Sequence, residues 1–193
     1  MTKKQKIRNR QALSPAAIML QDGTVYHGHG FGAPGAVYGE IVFNTGMTGY
    51  QEVVTDPSYH GQMVTFTYPL IGNYGVNNIS NESDEVHSRA VIVREAHNLA
   101  RNCTAEQGWV DWLAGQGVVA VAGVDTRAIT RRIRREGAVR AACSRRYFSV
   151  RDIADGIEAI HSIASVDLCS RRHRRHHSKL EIPHPRSTDC ELA

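Results

Sequence analysis

The sequence predicts a mixed α/β domain, on three observations. An Asp-Gly pair at Asp22 and Gly23 separates two short runs of β-forming residues, which is a strong local hairpin signal. A nearly all-apolar run, "GVVAVAGV" at 117–124, reads as a strand covered on both faces. Two helix-period segments lie on either side of that run. Helices flanking a buried strand, beside antiparallel strands, place the chain in the α/β class.

In chain order, the hairpin joins residues 16–20 to 24–27, and further strands are expected from "GEIVF" at 39–43, "QMVTFTY" at 62–68 and "RAVIV" at 89–93. Between them, "NTGMTGYQEVVTDPSY" at 44–59 is too polar for a core strand. It reads as a tightly turned structural loop whose Thr and Asn side chains satisfy nearby backbone groups. Thr104 and Gln107 fit a capping box, opening a helix that buries Trp109, Val110, Trp112 and Leu113 and stops at Gly115 and Gly117. A second helix starts at Asp125 or Thr126 and ends at Gly137. Ala128, Ile129 and Ile133 are expected to face the sheet, with Arg131, Arg132, Arg134 and Arg135 exposed. A short helix could carry Ile153, Ile157 and Ile160, and residues 169–193, poor in apolar side chains, read as a disordered basic tail.

Charge is unevenly spread. Residues 11–126 hold three Lys or Arg against eleven Asp or Glu, whereas residues 127–146 hold eight Arg against one acid, Glu136. Without interleaved aromatics this patch reads as solvated helix surface or a protein-docking face rather than a nucleic-acid site. No apolar run approaches the length of about 20 residues that spans a bilayer. The basic start "MTKKQKIRNR" is followed by an apolar stretch broken at Gln21 and Asp22, unlike a secretory signal, so a cytoplasmic protein is expected. The sequons at Asn78, Asn81 and Asn102 then carry no meaning, and Cys103, Cys143, Cys169 and Cys190 are read as reduced thiols.

Other motifs are weak. "GHGFGA" at 28–33 fits a dinucleotide fingerprint formally, but Pro34 and Gly35 follow it where a helix should begin, so it reads as a glycine-rich turn leaving the hairpin. His173, His176 and His177 have helical spacing for a metal, but arginines interrupt them. A nucleophilic cysteine needs a glycine-flanked turn and an oriented histidine. No cysteine here has a glycine neighbour, and no His-x-Glu occurs.

The segment "GEIVFNTGMTGYQEVVTDPSYHGQMVTFTYPLIGNYGVN" at 39–77, with "GVDTRAITRRIRREG" at 123–137 and the opening "LQDGTVYHGHGFGA", resembles the amino-terminal domain of the carbamoyl-phosphate synthase small chain. The resemblance runs from residue 16 to about 168. It implies a layered β/β/α swivelling domain at 13–150, after a basic flexible N-terminus at 1–12 and before a connector remnant at 151–168. It further implies a protein of pyrimidine and arginine precursor synthesis, with the synthase large subunit as partner; no cofactor or metal is expected. In that family a second domain, a class I glutamine amidotransferase, carries a cysteine nucleophile and a His-x-Glu pair. By motif match, Ser58 of "TDPSY" contacts bound glutamine across the interface. The sequence departs from the family at Leu168, and the expectation is a truncated or frameshifted small chain, silent in glutamine hydrolysis alone. The alternative is a standalone docking module that binds the large subunit or a nucleic acid through the Arg131–Arg135 helix.

Overall fold

The computed structural model describes residues 14–145. Nine strands and three α-helices occur among them: β1 (Ser14–Leu20), β2 (Val25–Gly30), β3 (Ala36–Asn44), α1 (Tyr50–Thr55), β4 (Gln62–Phe66), β5 (Leu70–Ile71), β6 (Ala90–Ile92), β7 (Glu95–Ala96), α2 (Trp109–Gly115), β8 (Val119–Ala122), α3 (Thr126–Glu136) and β9 (Val139–Ser144). A 3-10 turn, Pro57–Tyr59, follows α1. The fold is mixed α/β, as expected. The 151–168 connector, the 169–193 tail, the basic start and the His173, His176 and His177 cluster lie outside the described residues.

Seven strands close into a barrel in the order β1-β2-β8-β6-β4-β3-β9. Its two halves differ. β3, β4, β6 and β8 run parallel to their neighbours within this set, while β1, β2 and β9 are joined to each other and to the parallel half by antiparallel pairs. Period-2 alternation then sorts the side chains between two cores. Ile18, Leu20, Ile41, Met63, Ile92, Val119, Val121, Val139 and Cys143 fill the barrel, and Ile129 of α3 joins this cluster. On the outer face of the parallel half, Val64, Phe66, Val91, Val93 and Ala120 pack with Tyr50 of α1 and with Trp109, Trp112 and Leu113 of α2. This explains why "GVVAVAGV" is apolar at successive positions: Val119 and Val121 point into one core and Ala120 into the other.

The hairpin forms, with a longer loop than a two-residue Asp-Gly turn. Leu20 N–H donates to Thr24 O (2.9 Å) and Gly23 N–H to Leu20 O (2.9 Å), and Gly23 takes the left-handed φ of 84° that a three-residue loop requires. "GHGFGA" is not a turn leaving the hairpin: Gly28 and Gly30 lie inside β2. Their neighbourhood needs the missing side chains, since a Cβ at Gly28 would sit 2.4 Å from Ala122 O and one at Gly32 2.2 Å from Val118 O. The glycines let β2 and its continuation press against β8.

Two helix expectations are corrected. α2 does not use a Thr104–Gln107 capping box; it begins one residue after Gly108, whose side chain offers no cap. Asn98 caps it from outside, its Oδ1 accepting from Val110 N (3.1 Å) and Asp111 N (3.4 Å) while its Nδ2 donates to Asp111 Oδ2 (2.7 Å). Gly108 permits this approach, because a Cβ there would lie 2.0 Å from Asn98 Oδ1. α3 is capped as expected, with Asp125 Oδ1 accepting from Ala128 N at 3.0 Å. Its buried face is Thr126, Ile129 and Thr130, with Ile133 packed alongside, and Ala128 is only half-buried. Arg131, Arg134 and Arg135 are exposed, but Arg132 is half-buried: it bonds Asp22 and Thr24 of the hairpin and Glu136 one turn on.

Candidate functional site

Residues 44–59 are not a loop throughout. α1 occupies Tyr50–Thr55, entered through Gly49 in a left-handed conformation (φ 80°). At six residues it is too short to be stable by itself, and three side chains anchor it to the segment 74–83. Tyr50, 1% exposed, donates its hydroxyl proton to Gly75 O (2.8 Å) and accepts from Tyr74 N (3.3 Å). Its ring stacks on Tyr74, centroids 4.2 Å apart, and meets Trp109 at 4.6 Å. Gln51, also buried, donates to Asn77 O and Asn81 Oδ1 and accepts from Asn77 N (3.0 Å). Thr55 Oγ1 accepts from Glu82 N (3.0 Å), and Ser83 Oγ donates to Thr55 O (2.6 Å). Burial pushes the Tyr50 and Tyr74 hydroxyls above the ordinary phenol range, so both stay protonated and neutral throughout the physiological range.

This platform carries the Ser58 turn. Pro57 stands at its first position and Asp56 caps it, Oδ1 accepting from Ser58 N at 2.7 Å. Asn44, at the end of β3, ties the two flanks together: Oδ1 accepts from Gly46 N (2.7 Å), Nδ2 donates to Tyr59 OH (3.1 Å), and its carbonyl accepts from Thr67 N (3.0 Å). Ser58 itself is exposed. The arrangement presents a hydroxyl, able to donate and accept, on a rigid ledge. Large apolar side chains are exposed on turns tied to α1: Met47 is 67% exposed and Ile79 86%.

The two described cysteines lie in different settings. Cys143 is fully buried inside the barrel, where desolvation pushes its thiol up to about 12, and it is protonated at neutral pH. Cys103 is exposed in an irregular segment, its thiol 3.4 Å from Asn102 Oδ1. Among the described residues no group of three or more metal-ligating side chains converges, and no helix is long and apolar enough to cross a membrane.

The family model for the carbamoyl-phosphate synthase small chain, CPSase domain, matches residues 18–143, which is nearly the whole barrel and ledge. The chain belongs to this family. The carbamoyl phosphate synthase small chain of Parasynechococcus marenigrum is 46% identical over 156 residues, 81% of this chain and 41% of that relative. That of Chlorobaculum tepidum is 46% identical over 157 residues, 81% of this chain and 43% of the relative. That of Symbiobacterium thermophilum is 54% identical over 121 residues, 63% of this chain and 33% of the relative. The chain therefore spans about two fifths of the length of the first two small chains.

Sequence reasoning placed Ser58 in a turn but missed what builds the ledge: Asn44, Tyr50, Gln51 and Thr55, with their partners in 74–83. The high density of Asn, Thr and Tyr was the available signal. Its assignment to local backbone bonds holds for Asn44 with Gly46 and Thr55 with Gln51 O, whereas Gln51 reaches a partner 26 residues away.

Proposed function

We propose that residues 13–150 act as the amino-terminal CPSase domain of a glutamine-dependent carbamoyl-phosphate synthase small chain, of the layered β/β/α swivelling type, in pyrimidine and arginine precursor synthesis. The domain is a non-hydrolytic scaffold. It docks on the synthase large subunit, and its ledge lies beside the glutamine site of an amidotransferase domain, with the Ser58 hydroxyl as a hydrogen-bonding contact to bound glutamine. The observation that carries this reading is the family match over residues 18–143, spanning both the barrel and the ledge. The exposed Met47 and Ile79 on turns tied to α1 support it, since apolar side chains beside a built polar ledge suit a covered surface.

The test is gel filtration of the purified chain mixed with the carbamoyl-phosphate synthase large subunit of the same genome, beside an ammonia-release assay with glutamine. Co-elution without ammonia release is the expected result. A stably folded chain that fails to co-elute at micromolar concentration overturns the scaffold reading. Glutamine turnover abolished by Cys103→Ala would overturn the non-hydrolytic assignment.

A second reading has one observation in its favour. Arg127, Arg131 and Arg135 form an exposed stripe on α3, with Arg134 beside them over the Phe43 ring at 5.3 Å. Among the described residues these four make no salt bridge, unlike Arg132. Such a face suits docking of an acidic surface, and the salt dependence of association with the large subunit measures its share.

A further inference from the structure

His60 and His87, 27 residues apart in sequence, face each other close to the Ser58 turn with their Nδ1 atoms 3.4 Å apart. Their ring centroids are 5.6 Å apart and the planes are inclined at 62°. The backbone holds the two residues in this relation. Gly61 N–H donates to His87 O (3.3 Å), His87 N–H to Val54 O (2.9 Å), and Arg89 N–H to Gln62 O (2.8 Å).

The hydrogen bonds also decide which nitrogen of His87 carries a proton. His87 Nε2 lies 3.0 Å from Ser83 Oγ. That hydroxyl has one proton, and it sits 2.6 Å from Thr55 O and 3.0 Å from Glu85 O, which only accept. Ser83 therefore donates to a carbonyl, and His87 Nε2–H donates to Ser83. A neutral His87 with its proton on Nε2 presents the Nδ1 lone pair toward His60.

A nitrogen–nitrogen separation of 3.4 Å matches two ligands of one tetrahedral ion. Metal–nitrogen bonds of about 2.0–2.1 Å at the tetrahedral angle span roughly 3.3 Å. The Ser83 bond is the outer-shell contact that orients a metal-ligating imidazole and fixes its tautomer. We propose that His60 and His87, oriented by Ser83, form a surface site for a divalent transition cation of the zinc type, with water completing its coordination. In the metal-free protein the His60 Nδ1–H donates to His87 Nδ1. On binding, that proton relocates to Nε2 of the exposed His60 ring, and both Nδ1 lone pairs turn to the ion. No net proton is released when both rings are neutral. The ion would bridge the end of the Ser58 turn to the segment following Ser83.

The experiment titrates Zn2+ alone into the full-length chain and into His60→Gln, His87→Gln and Ser83→Ala, by calorimetry and by 15N NMR of the histidine rings. The other histidines are common to all four proteins, so the difference between them reports this pair. The wild type is expected to take up one more equivalent than His60→Gln or His87→Gln, with Zn2+ shifting the Nδ1 resonances of both rings. Ser83→Ala should weaken that equivalent by about 10-fold or more. An unchanged stoichiometry in folded His60→Gln, or Nδ1 resonances that do not respond to Zn2+, overturns the proposal and leaves a hydrogen-bonded pair only. Because His60 is exposed, His60→Gln decides the matter even if His87→Gln does not fold.

Discussion

Replacing Tyr50 by Phe tests whether the ledge is held by α1's long-range anchors or by its own turns. The ring is 1% exposed and its contacts with Tyr74 and Trp109 survive the substitution, so little packing is lost. What is lost is one oxygen with two partners. Gly75 is buried, and its carbonyl, now 2.8 Å from the hydroxyl, would be left unpaired. Tyr74 is half-buried and its 3.3 Å bond is long, so water can replace much of it. A buried acceptor stripped of its donor costs about 1–3 kcal/mol, and the longer bond adds a few tenths, for a total of about 2 kcal/mol. Urea denaturation should show the lowered midpoint without a change of slope. Hydrogen exchange should accelerate at the Val53 amide of α1 and at the Asp56 amide just after it, whose bonds run to Gly49 and Glu52. The control is Tyr59→Phe, which removes a part-buried side-chain bond to Asn44 and should cost less than about 1 kcal/mol. If Tyr50→Phe falls within about 0.5 kcal/mol of the wild type, the account of α1 as a helix pinned by its buried side chains is wrong.

Asn98→Ala should destabilise by roughly 1 kcal/mol, as loss of a helix cap does, read by denaturation together with faster exchange at Val110 and Asp111; an unchanged midpoint would mean Asn98 is not the cap. Arg131→Gln with Arg135→Gln should alter stability by no more than about 0.5 kcal/mol, while weakening large-subunit binding and its salt dependence if the α3 stripe docks; unchanged binding would reject the docking role. Cys143 makes stability decline in alkali. Its folded pKa stands above the unfolded value, so the unfolded chain loses the proton first, and the contribution is intact below pH 9 and falls as pH rises toward about 12. The limiting slope is about 1.4 kcal/mol per pH unit, and Cys143→Ala should flatten the curve between pH 9 and 10. An identical slope in the variant would refute the assignment.

The amino-acid sequence by itself determined the features set by neighbours in the chain. The hairpin at Asp22 and Gly23 depends on a left-handed glycine and the Asp22 side chain, which accepts from Thr24 N at 3.1 Å. The α3 start depends on Asp125 and a partner three residues on. The two-sided strand β8 was legible because burial on both faces removes polar residues from every position. The turn at Ser58 was legible for the same reason, since "TDPSY" builds its own capped turn.

Tertiary structure decided whatever needs a distant partner. β9, "VRAACS", has a weak strand pattern of its own and exists because β1 and β3 pair with it on either side and close the barrel. α1 is a turn and a half of helix, below the length at which periodicity can be recognised, and it persists because Tyr50, Gln51 and Thr55 find buried partners in 74–83. Asn98 caps a helix that begins eleven residues later. His60 and His87 become neighbours only when the chain on either side of them is paired. In each case the local sequence leaves several conformations close in free energy, and a few desolvated contacts across the fold select among them.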